Sequence, residues 1–358
     1  MRLPETGSLR RDMPAPASKR RKGYVENFDA HTLIYDCFYD DLARQVVLVC
    51  PRLLNLWPVL REGLTLNGQP VGGNLRRSKH LRFEVLRTAA PERPKDVGFS
   101  AEGHLFRIPV SRQDPDAFAG RNVLLAISKD NPIDWIEDWV RYHVSAHGAN
   151  ALILFDNGST DYSPDDLQSR LSVISGVDAC RVISAPFPYG GAGGGRLSVP
   201  AKFLQTALFN IARMRFLHRA RAVLSVDIDE LVWPQNGSVF DAAAKSRLGV
   251  ITFFGHWVYP AHTGTAQPQR AHSMRLGHEP IPNPKWCIVP GSLADKFSWA
   301  IHRPAGLLYP FTIRRRFGLW HCFATSTNWK HNRTKSVPGL TPCPELTEAL
   351  ARHLPPGP

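Results

Sequence analysis

The residues best suited to chemistry form a short acidic run, Asp227-Ile228-Asp229-Glu230, directly after an apolar segment at 222–226. In an extended backbone, residues i and i+2 point to the same side, so Asp227 and Asp229 are predicted to face one cation. Carboxylates are hard oxygen ligands that suit Mg²⁺ or Mn²⁺, and these ions neutralise phosphate oxygens. The sequence therefore predicts a divalent metal site here, with a solvated turn at a strand end as the alternative.

Two further polar segments follow apolar, strand-like runs. Lys129 and Asp130 come after 122–128, and Asp156 opens a turn rich in Gly, Ser and Thr. A carboxylate at that place can accept hydrogen bonds from a nucleobase or a ribose hydroxyl, whereas an Asx turn is the alternative for Asp156. The glycine run at 190–195 lacks the phosphate-loop pattern GxxxxGK[ST], so we predict a flexible loop there.

These polar segments belong to an alternation of strands and helices. Apolar runs predict strands at 122–128, 151–155, 181–185 and 222–226, and helical periodicity predicts helices from about Pro132 to Gly148, over 163–172 and over 199–219. Such an alternation implies a parallel sheet with right-handed crossovers. Because ligands bind beyond the carboxyl ends of such strands, the polar segments are expected to converge on one edge.

The length of 358 residues favours about two domains. We predict a disordered basic leader at 1–23, a small β-rich domain at 24–118, a catalytic domain at 119–338 and a Pro-rich tail at 339–358. The predicted fold class is α/β, a Rossmann-like, mostly parallel sheet preceded by the small β-rich domain.

Composition limits the protein classes and cellular compartments that are open to the chain. Hydrophobic residues make up 43% and charged residues 21%, which excludes wholesale disorder. The apolar runs are far shorter than the ~20 residues of a membrane-spanning helix, and no secretory signal is evident. The six cysteines form no CxxC pair, which favours reduced thiols in a cytoplasm, although an even number leaves disulfides open.

The formal net charge of +13 favours anionic partners, namely nucleic acid, an acidic membrane face or phosphorylated substrates. Part of this charge lies at residues 19–22, where a solvated tail is the first interpretation. Peripheral attachment to an anionic inner membrane face is the alternative.

Several of these motifs occur together in the order found in a known group of enzymes. The run from Val123 to Asp161 contains Lys129-Asp130-Asn131, Trp135-Ile136-Glu137-Asp138-Trp139, Tyr142-His143, Gly148 and Asp156-Asn157-Gly158-Ser159-Thr160-Asp161. It resembles the "KNE…EWI.YH…G…DN.STD" run of family 2-like and family 92-like (DUF23-type) glycosyltransferases. Asp130-Asn131 stands where those families usually have Asn-Glu.

The resemblance continues downstream and extends over roughly residues 121–335. Asp227-Ile228-Asp229-Glu230-Leu231 resembles the "D.DEF" segment, with Leu231 where Phe is usual. Other blocks that resemble the family contain Lys285-Trp286, Pro290, His302, His321-Cys322-Phe323, Trp329 and Arg333. The fold implied is the A-type glycosyltransferase fold.

The resemblance implies a metal-dependent, hexosyltransferase-type enzyme that moves a sugar from a nucleotide-diphosphate donor to a hydroxyl acceptor. The acceptor would be a glycan or lipid-linked precursor of polysaccharide biosynthesis. In this interpretation Lys129, Asp130 and Asp156 hold the nucleoside, while Asp227 and Asp229 hold the ribose and a Mn²⁺ or Mg²⁺ ion on the diphosphate.

Three further residues complete the candidate site. Lys202, or an arginine such as Arg333, would add positive charge at the diphosphate, with a plain surface cation as the alternative for each. His321 would be a third metal ligand, with a buried structural histidine as the alternative. An inverting enzyme also needs a carboxylate base, for which we prefer Asp295 over Glu279, and a surface carboxylate is the alternative.

Two other functions remain open from the sequence. A nucleotidyltransferase would use the same acidic metal site, and an inactive carbohydrate-binding or nucleic-acid-binding module would use the net positive charge. Arg314-Arg315-Arg316-Phe317 is the only dense basic patch near the predicted site. Nucleic acid is therefore not expected as a partner.

Overall fold

The computed structural model describes residues 1–20, 22–190, 202–262, 264–277, 281–325, 334 and 336–356. Its helices are α1 (Leu56–Gly63), α2 (Ile133–His147), α3 (Pro164–Ser172), α4 (Phe203–Arg215), α5 (Val239–Ala244) and α6 (Pro344–His353). Its strands are β1 (Asp36–Asp40), β2 (Gln45–Pro51), β3 (Leu64–Leu66), β4 (Gln69–Pro70), β5 (Arg76–Lys79), β6 (Phe83–Ala89), β7 (Asp96–Ala101), β8 (His104–Pro109), β9 (Ser111–Arg112), β10 (Asn122–Ser128), β11 (Ala151–Asp156), β12 (Ala179–Ser184), β13 (Ala222–Ser225), β14 (Glu230–Val232), β15 (Val250–Pro260), β16 (His272–Arg275), β17 (Lys285–Ile288), β18 (Ile313–Cys322) and β19 (Thr341–Pro342).

The chain divides into two compact units. Unit 1 comprises Met1–Pro115 and Phe187–Phe216, and unit 2 comprises Asp116–Pro186 and Leu217–Pro358. Unit 1 contains a five-stranded sheet in the order β5-β6-β2-β1-β9 and a four-stranded sheet in the order β4-β3-β7-β8. The N-terminal part is therefore β-rich, as the short apolar stretches separated by turn signals predict.

Helix α4 belongs to unit 1, where it packs against β1, β2 and β6. The sequence predicts a helix at 199–219 within the strand-helix alternation, and the structure gives it the bounds Phe203–Arg215. Every residue from Phe203 to Ala212 is buried, so this helix needs apolar cover on more than one side. The first sheet of unit 1 provides part of that cover. Residues 199–201 lie outside the described part of the chain, as do 191–195 of the predicted glycine loop.

Both chain ends differ from the disordered leader and Pro-rich tail that the sequence predicts. Near the N-terminus, Leu3 and Ala15 are buried, and the buried Arg11 side chain donates to the carbonyl oxygens of Asp29 and Thr32. At the C-terminus, α6 places its apolar face, which includes Leu346, in the core of unit 2. A few apolar side chains hold these segments in place, and the overall composition of the segments does not reveal them.

The sheet of unit 2 has ten strands, and its first four in spatial order, β12-β11-β10-β13, are parallel. The predicted α/β class with a Rossmann-like parallel portion is confirmed. The sheet continues through β17, β15, β16 and β19 in antiparallel pairs, which the sequence does not predict because this region mixes Pro, His and Trp. No helix among the described residues is long and apolar enough to cross a membrane.

Helix α2 is held against β14 by three polar side chains on its buried face. The Tyr142 hydroxyl donates to the Val232 carbonyl oxygen (2.9 Å), and His147 Nε2 donates to the same oxygen (3.1 Å). The Val232 N–H donates to His143 Nε2 (3.4 Å). The helix ends at Gly148, whose φ of 70° is the left-handed conformation of a C-cap. Because β14 follows directly after Asp229, these bonds fix the position of the acidic run.

We expect the two buried histidines of α2 to make the protein less stable in acid. Burial lowers the pKa of His143 to about 3 and that of His147 to about 4. Unfolded histidine titrates near pH 6.5, so between about pH 6.5 and pH 4 the unfolded chain binds more protons. The free energy of unfolding should therefore fall by up to about 1.4 kcal/mol per pH unit for each histidine as the pH drops through this range.

Urea unfolding at several pH values measures this slope. His147→Gln should remove about half of the contribution of the two α2 histidines, whereas the control His104→Gln, at an exposed position, should leave the slope unchanged. An equal slope in wild type and His147→Gln would contradict the prediction.

Candidate functional site

The acidic run forms a tight turn after β13 and is not extended. The Glu230 N–H donates to the Asp227 carbonyl oxygen (3.0 Å), which closes the turn. The extended-backbone argument for pairing Asp227 with Asp229 therefore does not apply. The turn is also held by Gln269, whose Nε2 donates to the carbonyl oxygens of Ile228 (2.8 Å) and Trp135 (3.0 Å). Gln269 thus links the turn to α2.

Asp229, Glu230 and His321 form the cluster best suited to hold a metal ion. One ligand atom from each residue lies within 4.8 Å of the others. His321 Nε2 lies 3.2 Å from Asp229 Oδ2, and His321 Nδ1 lies 3.6 Å from Glu230 Oε1. The pairing of β14 with β18 places Glu230 opposite His321 and so creates this contact. The structure brings together the predicted ligands Asp229 and His321, and Glu230 takes the place predicted for Asp227.

Asp227 instead forms an ion pair with Lys285. Lys285 Nζ lies 2.5 Å from Asp227 Oδ2 and 2.9 Å from Glu230 Oε2, and the Lys285 side chain is only 2% exposed. Burial lowers the pKa of Lys285, but the two carboxylates more than offset this and raise it above its ordinary value. Burial raises the pKa of Glu230, and the Lys285 charge opposes that shift. Lys285 is therefore an ammonium that stabilises two carboxylates.

Carboxylates are concentrated in this cluster. Asp227, Asp229 and Glu230 supply three of them, and the Lys285 ammonium contacts Asp227 and Glu230. Close carboxylates in a largely buried place repel each other, so a bound cation would stabilise them.

The donor atoms of the cluster fit a divalent ion. His321 Nδ1 is buried and makes no hydrogen bond to any described residue. Two carboxylates and an imidazole suit Mg²⁺ or Mn²⁺, and the nitrogen favours Mn²⁺. His321 is also held from the other side by Trp257, whose ring stacks on the imidazole with centroids 3.9 Å apart. The sequence gives no signal for Trp257, and it marks Lys285 only as part of a downstream motif block.

The residues predicted to hold a nucleoside lie on the same edge of the sheet, since Ser128 at the end of β10 is paired with Asp156 at the end of β11. Asp156 is buried, and its Oδ2 accepts from the N–H groups of Gly158 (3.1 Å) and Ser159 (3.1 Å). The alternative of an Asx turn is thus realised. Asp130 Oδ1 accepts from the Thr160 N–H (2.7 Å). Both carboxylates shape the loop at 157–160, while Lys129 is exposed.

The structure does not bring Asp295 to the cluster. Strand β17 is antiparallel to β13, so Ile288, where β17 ends, lies opposite Val223 near the start of β13. Asp295 follows that end, at the edge of the sheet opposite Asp227. Its oxygens accept from Trp299 Nε1 (2.7 Å) and from the Gly291 N–H (3.0 Å). These bonds explain Asp295 as a structural residue, which corrects its assignment as the catalytic base.

The roles of the remaining sequence-predicted residues stay predictions. Lys202 precedes α4 in unit 1 with a φ of 63°, whereas the cluster belongs to unit 2, and its role stays a prediction. Glu279, Trp329 and Arg333 lie outside the described residues. All six cysteines are free thiols.

No protein-family model matches the chain, and no curated protein matches it. Among solved structures it is similar to an active-site mutant of LgtC, with 14% identity over 50% of this chain and 60% of LgtC and a TM-score of 0.29. The match to S. aureus TarS has 12% identity over 56% of this chain and 36% of TarS, with a TM-score of 0.31. The match to the S. cerevisiae mannosyltransferase Ktr4p has 11% identity over 44% of this chain and 43% of Ktr4p, with a TM-score of 0.24.

The chain thus spans less than two thirds of each of these proteins. TM-scores below 0.5 assign no function to it. The resemblance to family 2-like and family 92-like glycosyltransferases stays a hypothesis.

Removal of the Lys285 charge should destabilise the fold strongly. Lys285→Met removes the counter-charge of the buried Glu230 and of the half-buried Asp227, so the free energy of unfolding should fall by about 3–5 kcal/mol. The control Lys296→Met, at an exposed position, should change it by no more than about 0.5 kcal/mol. Urea unfolding of both variants without added metal measures the difference, and equal stabilities would show that Lys285 does not stabilise the cluster.

Proposed function

We propose that unit 2 is a metal-dependent glycosyltransferase that moves a sugar from a nucleotide-diphosphate donor to a hydroxyl acceptor of a glycan or lipid-linked precursor. The observation that carries this proposal is the Asp229, Glu230 and His321 cluster beside the Asp227–Lys285 ion pair. The cluster follows β13, at the carboxyl edge of a parallel sheet, where α/β proteins bind ligands. The ordered motifs of the resemblance support the same reaction.

Each residue of the cluster has a defined task in this proposal. Asp229, Glu230 and His321 would hold Mn²⁺ or Mg²⁺, and Lys285 fixes the carboxylates of Asp227 and Glu230 through its two ion pairs. When bound, the ion supplies positive charge that stabilises the leaving diphosphate. Asp227, which pairs with Lys285, would contact a ribose hydroxyl of the donor.

The loop at 157–160 would form one wall of the nucleoside site. Asp156 and Asp130 bind its backbone, so we assign them to loop positioning and not to direct contact with the base. The exposed Lys129 precedes Asp130, whose carboxylate bonds to this loop, and Lys129 would contact the donor. Lys202 stays the predicted source of further positive charge at the diphosphate.

Nucleotide-sugar turnover tests the proposal. A panel of nucleotide-diphosphate sugars, each with Mn²⁺, should include one from which the protein releases nucleoside diphosphate. Asp229→Asn should lower this rate on the order of 100-fold, because an amide loses the charge that holds the cation. The control Asp165→Asn, at an exposed position of α3, should keep wild-type turnover. Melting curves should show that both variants are folded.

His321→Ala should raise the Mn²⁺ concentration needed for half-maximal activity about 10-fold to 100-fold and should narrow the preference for Mn²⁺ over Mg²⁺. An unchanged Mn²⁺ requirement would make His321 a structural residue. Wild-type turnover in Asp229→Asn would contradict the metal site. Release of diphosphate from a nucleoside triphosphate would identify a nucleotidyltransferase, and a lack of turnover with any donor would favour a binding module.

A further inference from the structure

A basic cavity lies in unit 2 at the start of β15 and β18. Its volume is about 290 Å³, and its lining includes the four cationic residues Lys245, Arg247, Arg314 and Arg316 beside Leu248 and Ile251. No acidic residue lines it. This is the Arg314-Arg315-Arg316 patch of the sequence, which the proposed function does not use.

The four cations have no carboxylate partner in the described part of the chain. The salt bridges of unit 2 involve other residues, and the Arg314 side chain instead donates through Nη1 to the carbonyl oxygens of Phe311 and Ile313, each at 3.0 Å. The Arg316 guanidinium lies 5.1 Å from the Phe317 ring centroid. Four like charges around one cavity repel each other, so an anion bound there would be stabilised by all of them.

Two large apolar side chains are exposed next to these cations. Leu307 is 91% exposed and Phe311 is 68% exposed, and both belong to the 3₁₀ segment Gly306–Thr312 that leads into β18. Arg314 bonds to the Phe311 carbonyl oxygen, so its side chain lies beside the segment that carries Leu307 and Phe311. Apolar side chains beside a basic patch are typical of surfaces that bind membranes.

This surface is separate from the candidate metal site. Arg314 lies near the start of β18 and His321 near its end, at opposite edges of the sheet. On β15, the partners of Ile313 and His321 are Thr252 and Trp257, which are five residues apart and so separated by roughly 17 Å of strand. A ligand in the cavity would therefore not be the donor held by Asp229 and His321.

We propose that the basic cavity and the exposed Leu307 and Phe311 form a docking surface for a membrane that contains anionic phospholipid. The cavity takes a lipid phosphate, and the two apolar side chains enter the interfacial region of the bilayer. Free phosphate or nucleic acid would account for the cations but would give Leu307 and Phe311 no apolar partner. A surface of this kind gives peripheral binding that depends on salt.

Sedimentation with vesicles tests the proposal with the full chain. The protein should sediment with phosphatidylcholine vesicles that contain phosphatidylglycerol, and not with phosphatidylcholine alone. Arg314→Gln combined with Arg316→Gln should weaken this binding about tenfold or more. The matched control, Arg76→Gln combined with Lys79→Gln in β5 of unit 1, removes the same charge and should weaken it by at most about twofold.

Leu307→Ser combined with Phe311→Ser leaves the charge unchanged and should also weaken vesicle binding severalfold. Both side chains are exposed, so this variant should keep the wild-type melting temperature and remain informative if the arginine variant does not fold. Equal losses in the arginine variant and its matched control would overturn the proposal in favour of attraction by net charge. Unchanged vesicle binding in the Leu307 and Phe311 variant, with inorganic phosphate raising its melting temperature as in wild type, would overturn it in favour of a free-phosphate site.

Discussion

A lysine ammonium buried between two carboxylates organises the acidic edge of unit 2. Lys285 begins β17. Because β17 is antiparallel to β13, the Lys285 ammonium lies at the edge of the sheet where β13 ends, beside Asp227 and Glu230. Asp229, Glu230 and His321 lie beside this ion pair, so the same turn brings together ligand atoms that suit a divalent cation. Tyr142, His143 and His147 of α2 fix the neighbouring strand β14 from the opposite side.

Simple sequence patterns predict the strands and helices that form this edge of the sheet. Strand β10 has the bounds that its apolar run predicts, and α2 stops at Gly148 because a glycine there adopts the left-handed conformation. Such patterns do not predict which side chains contact each other within the site. Glu230 replaces Asp227 beside His321 because the acidic run closes into a turn, and a sequence pattern of alternating carboxylates does not reveal that turn. Asp295 illustrates the same limit, since the chain distance from Asp229 does not tell which edge of the sheet it reaches.

Sequence patterns also do not reveal to which unit an element belongs. Helical periodicity in α4 shows a buried helix, but it does not show which sheet covers that helix, and the structure places α4 on the first sheet of unit 1. Composition alone predicts a disordered leader and a Pro-rich tail at the chain ends. A few apolar side chains, such as Leu3 in unit 1 and Leu346 in unit 2, hold those ends in place. The average composition of a segment does not reveal contacts of this kind, because each contact involves only one or two residues.

We propose that Asp229, Glu230 and His321 form a metal site beside Lys285. Anomalous diffraction at the manganese absorption edge, from crystals grown with Mn²⁺, tests it most directly because it locates the ion without any assay of activity. We expect one anomalous peak within roughly 2.0–2.4 Å of a carboxylate oxygen of Asp229 and a ring nitrogen of His321. A structure with this cluster intact and no manganese peak between Asp229, Glu230 and His321 would contradict it.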